Sequence, residues 1–324
     1  MSTLDALIVG AGPTGLAAAL EAEELGLDYL VLDKGGVTNA IFRFPTHMVF
    51  FTTPELLEIG NLPMVCEREK PTRLEALKYY RRVVQISGIR VHQYEEVQRV
   101  AQGAGAFRVS TTRSEYATRN LVLATGYYDT PNMLGVPGEN LPHVSHYYTE
   151  AHPHFDRNVV VVGGQNSAAE AALELYRAGA RVTLVHRGEQ LGKSLKYWVR
   201  PDIENRIKEG SIASRFECRV VEIRPTAVVI ECEGQREELP AEAVLLLTGY
   251  HPDVEFMTRA GITCDPETLA PTLDAETFET NVPNLFVAGG AIAGRHTGNI
   301  FIENGRFHGE RIVEVLAERR LQEA

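Results

Sequence analysis

The chain has 324 residues, of which 44% are hydrophobic and 23% are charged, and its formal net charge at pH 7 is −11. These values are typical of a soluble globular protein with about two domains, and the acidic excess argues against a nucleic-acid partner, because neutralising phosphates requires a basic surface. No apolar run reaches membrane-spanning length, and the first residues lack the pattern of a signal peptide, so we expect a cytoplasmic protein with no membrane partner.

The opening of the chain predicts a strand, a glycine turn, a helix and a second strand. Residues 6–9 are a short apolar run, which leads into the turn Gly10-Ala11-Gly12-Pro13-Thr14-Gly15. Residues 16–25 are strong helix formers, and the apolar residues 29–32 follow and end in Asp33.

This order is the fingerprint of a dinucleotide-binding unit. Gly10 permits the tight turn, Gly12 lets a pyrophosphate approach the backbone, and Gly15 lets the helix lie close to the strand. The N–H groups and the positive dipole end of the helix face the phosphates. Asp33 is placed to accept hydrogen bonds from an adenosine ribose. The first unit is therefore predicted to bind FAD or NAD.

After Asp33 the chain forms a polar glycine turn and then an aromatic segment over residues 40–53. In a dinucleotide fold the chain crosses the cofactor here towards its reactive ring. The candidate contacts in this stretch are Lys34, Asn39, Phe44, Thr46 and His47. We expect His47 to pack or to form hydrogen bonds rather than to act as an acid or base.

An amphipathic helix is predicted over residues 72–87, and strands follow near residues 91, 95–100, 107–111 and 117–123. The last strand runs into the small-residue turn Ala124-Thr125-Gly126. Such a turn is needed where the backbone passes close to a ligand or where two domains join. The proline-rich residues 131–142 are predicted to be a linker.

A second copy of the opening pattern covers residues 158–187, with a strand, a glycine turn, a helix and a strand that ends in His186 and Arg187. An acid at this end would repel a ribose 2′-phosphate, whereas an arginine binds it through charge-assisted hydrogen bonds. The second site is therefore predicted to bind NADP(H), with Lys193 and Lys196 either contributing or lying in solvent. The predicted contacts are Gly163, Gly164, Gln165, Asn166, Ser167, Ala168, His186 and Arg187, with Gln165 and Ala168 at positions where glycines are usual.

The strand at residues 243–247 and its turn repeat the pattern of residues 121–126, and these two joints bracket the second dinucleotide unit. A further strand ends in Gly289 and Gly290, and a long helical pattern follows over residues 299–316. Gly289 and Ile300 complete the candidate contacts of the first site. We expect an α/β fold with two Rossmann-like domains, in which residues 128–246 are inserted between residues 1–127 and 247–324.

The four cysteines are Cys66, Cys218, Cys232 and Cys264. No two of them form C-x-x-C, and none has zinc-like spacing with histidine, so free thiols and no metal site are predicted.

With these features the chain resembles flavoproteins of the thioredoxin reductase type, and within them the bacillithiol disulfide reductase (YpdA-type) family. The most specific stretches are residues 42–47, 50–51, 55–60, 196–198, 201–208 and 302–309. The resemblance implies an FAD enzyme that takes hydride from NADPH and reduces the disulfide of a low-molecular-weight thiol. It also implies a homo-oligomer and the division into an FAD domain and an inserted NADPH domain.

Three departures from these families leave alternatives open. The C-x-x-C of thioredoxin reductases is absent, Thr14 replaces the cysteine that the YpdA-type family has in the first turn, and Gly290 replaces an aspartate that binds the ribityl chain in many relatives. Since a hydroxyl cannot exchange electrons as a thiolate does, we expect Thr14 to contact phosphate or flavin, and we assign no residue as a catalyst. One alternative is a flavin reductase that passes electrons directly to ferredoxin, flavodoxin, quinone or oxygen. The other is a non-enzymatic FAD-binding redox sensor.

Overall fold

The computed structural model describes residues 3–103 and 105–323, and the chain divides into two units. The first unit consists of Met1–Phe42, Met48–Thr130 and Tyr250–Ala324. The second consists of Arg43–His47 and Pro131–Gly249. The unit boundaries near residues 130 and 249 lie three residues beyond the predicted joints, and the short segment 43–47 belongs to the second unit.

The described part of the chain contains fifteen β-strands and seven α-helices. The strands are β1 (Thr3–Val9), β2 (Tyr29–Leu32), β3 (Val91–His92), β4 (Val97–Gln102), β5 (Phe107–Thr111), β6 (Glu115–Leu123), β7 (Val144–Ser145), β8 (Asn158–Val162), β9 (Arg181–Val185), β10 (Ala213–Arg215), β11 (Cys218–Arg224), β12 (Ala227–Cys232), β13 (Gln235–Pro240), β14 (Ala243–Leu246) and β15 (Leu285–Val287). The helices are α1 (Pro13–Glu24), α2 (Asn39–Phe42), α3 (Arg73–Ser87), α4 (Asn166–Arg177), α5 (Arg200–Lys208), α6 (Val254–Arg259) and α7 (Ile302–Glu323).

The first unit is built on a seven-stranded sheet in the order β3-β2-β1-β6-β5-β4, with β15 also paired to β6. The strands β3, β2, β1, β6 and β15 are parallel to their neighbours, whereas β4, β5 and the first half of β6 form an antiparallel ladder. The central strand β1 places Ala6, Leu7 and Ile8 fully out of solvent, as a strand covered on both faces requires. Its carboxyl end therefore opens directly onto the glycine turn.

Local sequence signals set several helix ends. Thr72 caps α3 by accepting a hydrogen bond from the backbone N–H of Glu75, and the Glu75 side chain accepts one from the backbone N–H of Thr72. Gly88 ends the same helix in a left-handed conformation. The helix predicted over residues 299–316 begins later, at Ile302, and continues to Glu323.

The second unit has three layers. A parallel sheet in the order β10-β9-β8-β14-β7 lies between helices α4 and α5 and an antiparallel sheet of β11, β12 and β13. Alternation along β8 produces this arrangement, because Val159 and Val161 pack on the helical side and Val160 and Val162 pack on the antiparallel sheet.

Across residues 3–103 and 105–323, none of the helices combines the length and apolarity that crossing a membrane would require.

Candidate cofactor sites

The three glycines of the first turn meet different surroundings. Gly10 has φ of +111°, and a Cβ atom there would lie 2.3 Å from the carbonyl oxygen of Ala124. A Cβ atom on Gly15 would lie 1.9 Å from the carbonyl oxygen of Gly10. Around Gly12, by contrast, a Cβ atom would meet no protein atom within 4 Å. Gly10 and Gly15 are therefore required by the packing of the turn itself, whereas Gly12 leaves an open face.

The open face lies at the start of α1. Gly12 is the N-cap of this helix and Pro13 is its first residue, so no cap side chain covers the first-turn N–H groups. A pyrophosphate needs this combination of unobstructed backbone and helix N-terminus. The geometry of the turn thus fits a dinucleotide cofactor.

Asp33 at the end of β2 ties together two loops of the site. Its carboxylate accepts hydrogen bonds from the backbone N–H groups of Ala11 and Gly35, each at 2.7 Å. Burial raises the pKa of this carboxyl group above its ordinary value, and the two N–H groups oppose that effect. Next to it, Lys34 forms an ion pair with Asp129 at 3.0 Å. Asn39 packs against Gly35, where a Cβ atom would lie 2.4 Å from the amide carbon Cγ.

Thr14, in the first turn of α1, packs tightly against α7. Its hydroxyl donates a hydrogen bond to the carbonyl of Gly305 at 3.2 Å. A Cβ atom on Gly289 would lie 2.6 Å from the Thr14 hydroxyl oxygen, and one on Gly309 would lie 2.4 Å from the Thr14 carbonyl oxygen. The hydroxyl hydrogen of Thr14 is therefore used in a hydrogen bond within the protein. The sequence did not indicate this bond. The contact of Thr14 with phosphate or flavin stays a prediction, and the two lone pairs of the hydroxyl oxygen remain able to accept hydrogen bonds.

The small-residue turn after β6 closes the other side of the site. Ala124 donates its backbone N–H to Val9 at 2.8 Å. The next side chain beyond this turn, Tyr127, packs on Gly290, where a Cβ atom would lie 2.7 Å from the ring. Burial raises the pKa of Tyr127. The ring thus takes the space that a side chain at position 290 would need, a contact that sequence reasoning missed.

The remaining residues of the turn and of the α7 start lie in the first unit as well. Thr125 and Gly126 continue from Ala124, and Gly126 has φ of +65°. The Ile300 side chain lies beside α7, 3.3 Å from the position that a Cβ atom on Gly305 would take. On the same helix His308 Nδ1 accepts a hydrogen bond from the backbone N–H of Gly289 at 3.3 Å, and burial lowers the pKa of this histidine.

The aromatic crossing does not join the glycine turn within one unit. Phe44, Thr46 and His47 belong to the second unit. The backbone N–H of Thr46 donates to Thr149 at 2.8 Å, and His47 Nε2 lies 3.8 Å from the Glu150 carboxylate. The contact of these three residues with FAD stays a prediction, and their pairing with residues 149–150 could not be inferred from local sequence.

In the second unit the turn after β8 repeats the first with altered residues. Gly163 has φ of +151°, and a Cβ atom there would lie 2.4 Å from the carbonyl oxygen of Leu247. Gly164 lies under the His186 ring, with only 2.4 Å between a Cβ atom and ring carbon Cε1. Ala168, at the third glycine position, is fully buried in α4. A glycine is thus not required there.

Residues 192–196 lie over this turn, whereas the sequence indicates only Lys193 and Lys196 of this segment as possible contributors. The backbone N–H of Gly192 donates to Gly164 at 2.8 Å, and the Ser194 hydroxyl donates to the Gln165 side chain at 2.6 Å. The Asn166 side chain accepts a hydrogen bond from the backbone N–H of Lys196 at 2.8 Å. Ser167 is exposed beside these contacts, and so is Lys193. The Lys196 ammonium group itself is paired with Glu170 at 2.8 Å.

His186 and Arg187 follow β9 directly. Burial, and secondarily the charge of Arg187, lowers the pKa of His186, so the ring is neutral at neutral pH. Arg187 is exposed, and within the described residues it has no hydrogen-bond or ion-pair partner. The guanidinium group is therefore available to an anionic ligand.

Comparison with known proteins identifies the family. The sequence model of pyridine nucleotide-disulphide oxidoreductases matches residues 7–289. The bacilliredoxin reductase Bdr of Bacillus subtilis (strain 168) is 45% identical over 317 residues, which cover 97% of this chain and 98% of that protein. This chain belongs to the Bdr (YpdA) family. The structure of bacillithiol disulfide reductase Bdr (YpdA) from Bacillus cereus matches with a TM-score of 0.96 and 43% identity, over 98% of this chain and 100% of the other. The structure of Bdr (YpdA) from Staphylococcus aureus matches with a TM-score of 0.94 and 40% identity, over 99% of this chain and 100% of the other.

Membership of the Bdr family confirms the resemblance seen in the sequence, the α/β fold with two parallel sheets and the class of pyridine-nucleotide-dependent flavoprotein oxidoreductases. The family implies FAD and NAD(P)H as cofactors.

The expectation of four free thiols is wrong. Cys218 and Cys232 form a disulfide between β11 and β12, with 4.3 Å between their Cα atoms. They face each other in the strand register, although thirteen residues separate them in the sequence. Cys66 and Cys264 are free and half-buried, and burial raises the pKa of each thiol. Neither of them has the lowered pKa that a reactive thiol needs.

Proposed function

We propose that this chain is an NADPH-dependent FAD reductase that reduces a bacillithiol-type disulfide or a bacilliredoxin. The observation that carries the proposal is that the two dinucleotide turns place side chains of opposite charge where the ribose of each cofactor would lie. In the first unit the carboxylate of Asp33 follows strand β2. In the second unit the unpaired guanidinium group of Arg187 lies just beyond the end of strand β9. The names of the Bdr relatives supply the acceptor class.

We infer that the first unit holds FAD. Gly12 leaves room for the pyrophosphate, the start of α1 provides N–H groups, and the Asp33 carboxylate has lone pairs left for ribose hydroxyls after binding Ala11 and Gly35. FAD bound there supplies a two-electron carrier between a pyridine nucleotide and a disulfide. The chain itself positions the cofactor and excludes water from it. The Tyr127 ring, packed on Gly290, is part of this enclosure in our proposal.

The second unit is proposed to hold NADPH, with Arg187 binding the 2′-phosphate. The contribution of Arg187 to NADPH binding can be tested by replacing it and, as a control, by replacing another exposed arginine of the same unit. Arg187→Ala is expected to raise the KM for NADPH by about 10- to 100-fold, the value of a charge-assisted pair, and to leave that for NADH nearly unchanged. Arg236→Ala is the control, since Arg236 is also exposed in the second unit but lies 3.9 Å from Glu231. An equal increase in the KM for NADPH and for NADH in Arg187→Ala would show that the arginine has a structural role.

Thr14 determines how the acceptor is reduced. A hydroxyl cannot form a mixed disulfide, so the acceptor is reduced without a covalent intermediate on the first turn. A comparison of acceptors tests this: NADPH consumption is measured with bacillithiol disulfide, with a bacilliredoxin and with ferredoxin. Turnover with either of the first two supports the proposal. If NADPH reduces the flavin rapidly in stopped flow and only ferredoxin is turned over, direct electron transfer from the flavin to a redox protein would be supported instead.

The variant Thr14→Cys sharpens the same test. If the chain retains the rest of the family scaffold, a thiol at position 14 should increase turnover of the small disulfide. The matched control is Thr14→Ser, which keeps a hydroxyl and should not. Thiol-dependent turnover by the unaltered chain that is abolished by alkylating Cys66 and Cys264 would contradict the proposal, because it would place a reactive thiol outside the turn.

A further inference from the structure

The Cys218–Cys232 disulfide closes the open end of a hairpin. Cys218 is the first residue of β11 and Cys232 is the last residue of β12, and the turn that joins the strands lies at the opposite end. When the sulfurs are not bonded, backbone pairing and the Arg219–Glu231 ion pair at 2.6 Å hold these two ends together. The disulfide is thus positioned to control whether this end of the ladder stays closed.

The same end of β11 is bonded to the loop that carries Arg187. The backbone N–H of Cys218 donates to the carbonyl of His186 at 3.1 Å, and that of Glu217 donates to Gly188 at 3.0 Å. On the other side, His186 donates its N–H to Arg215 at 2.8 Å. The residues before and after Arg187 are therefore anchored by the stretch that leads into the disulfide.

Side-chain packing strengthens this link. The Phe216 ring meets the His186 ring edge to face, with 6.4 Å between their centroids. Cys218 lies in the core between the two sheets of the second unit, together with Val185 at the end of β9. Movement of the Cys218 end would therefore be transmitted to both flanks of the Arg187 loop.

The two sulfurs differ in access. Cys218 is 3% exposed, whereas Cys232 is half-buried at the strand end. A small thiolate can therefore attack Cys232 in preference, with Cys218 as the leaving sulfur. Arg219 and Arg236 lie within 4 Å of the neighbouring Glu231 and offset its charge, so the approach of an anionic thiol is not blocked by an unpaired carboxylate.

We propose that Cys218–Cys232 is a thiol–disulfide exchange site for low-molecular-weight thiols and that its redox state sets the affinity of the second unit for NADPH. One thiol forms a mixed disulfide with Cys232 and releases the Cys218 thiolate, which takes a proton. A second thiol then attacks the mixed disulfide, releases the small disulfide and leaves Cys232 as a thiol. Two thiols are thereby oxidised and the protein disulfide is reduced.

The oxidised form is the tighter NADPH binder. With the disulfide closed, the Arg187 loop is already ordered before the 2′-phosphate arrives. With the disulfide open, binding must also order the loop, which weakens the affinity by about three- to tenfold. A nucleotide without the 2′-phosphate does not engage Arg187 and is affected little. This inference rests on the proposed NADPH site, because it assigns regulation to the same arginine.

The test uses the FAD-loaded chain carrying Cys66→Ser and Cys264→Ser, so that only the Cys218–Cys232 pair responds to reductant. The pair is opened with a phosphine reductant, which is then removed, and thiol counting verifies two thiols per chain. Isothermal titration measures binding of NADP⁺ and NAD⁺, which donate no hydride, to the oxidised and reduced forms. A chain with Cys218→Ser and Cys232→Ser is a permanently open second sample, and Arg187→Ala is measured in both redox states.

The expected result is three- to tenfold weaker NADP⁺ binding in the reduced form, reversal on reoxidation, unchanged NAD⁺ binding and no redox effect in Arg187→Ala. Equal NADP⁺ affinity in both states, with Arg187→Ala still binding weakly, would overturn the exchange-site proposal and leave the NADPH site intact. If Arg187→Ala binds NADP⁺ as well as the unaltered chain, the NADPH assignment fails, and this inference fails with it. A pair that yields no thiols under the reductant overturns the inference directly.

Discussion

Gly12 and Gly15 lie in the same turn, yet the structure predicts opposite consequences for replacing them. Gly12 has φ of −75° and ψ of 176°, an extended conformation open to any residue, and the space beside it is free of protein atoms. A side chain there meets no protein atom, and the gain of about 0.4–1 kcal/mol from reduced unfolded-state entropy is offset by the poorer helix capping of alanine or valine, so the stability of the apo fold should change little. The same side chain occupies the space proposed for the pyrophosphate. Gly12→Val should therefore lose most of its FAD while the apo fold stays intact.

Gly15→Ala acts on the fold itself. Its Cβ atom would lie 1.9 Å from the carbonyl oxygen of Gly10, so α1 and the turn must move apart by at least about 1 Å. Overpacking of this kind costs about 1–3 kcal/mol, which corresponds to a decrease in Tm of roughly 3–10 °C for a unit of this size. Gly15→Ala should thus be less stable even without cofactor.

The assay compares both variants with the unaltered chain in two forms. Visible absorbance of the purified protein gives the ratio of flavin to chain, which should be near one for the unaltered chain. Circular dichroism of the flavin-depleted proteins gives the Tm of each apo form. Full flavin retention in Gly12→Val would refute the placement of the pyrophosphate, and an apo Tm for Gly12→Ala as low as that of Gly15→Ala would refute the distinction between the two glycines.

Three further outcomes are expected. Thr14→Val removes the hydrogen bond to Gly305 and should lower the free energy of unfolding by about 0.5–1.5 kcal/mol in urea titrations, whereas unchanged stability would show that this bond contributes nothing. Thr72→Ala removes the α3 cap and should cost about 1 kcal/mol without altering flavin content, and a loss of flavin would contradict a purely structural cap. Because burial lowers the pKa of His186 and His308, the unfolded chain binds more protons below about pH 6.5, so Tm should fall as the pH is lowered from 7 to 5, and less so in His308→Asn.

Features carried by neighbouring residues were predictable from the sequence. The glycine spacing, the apolar strands on either side and the residue that ends the second strand of each unit lie within about thirty residues, and their geometry follows from local backbone rules. The capping box of α3 at Thr72 and Glu75 belongs to the same class. For this reason the α/β fold and the contrast between Asp33 and Arg187 could be predicted from the sequence, and the family could be recognised by resemblance.

Contacts between distant parts of the chain were decided only by the tertiary structure. Thr14 and Gly305 are 291 positions apart, and no local pattern could indicate that the hydroxyl donates to that carbonyl. The Cys218–Cys232 pairing depends on the register of two antiparallel strands, and that register is determined by the side chains that pack between the two sheets of the second unit. Spacing rules for cysteines detect only ligands or thiols close in sequence, so they predicted free thiols here. Periodicity is a property of one segment, whereas the choice of partner is a property of the whole packed core. The glycine turns therefore followed from the sequence, and the Cys218–Cys232 disulfide did not.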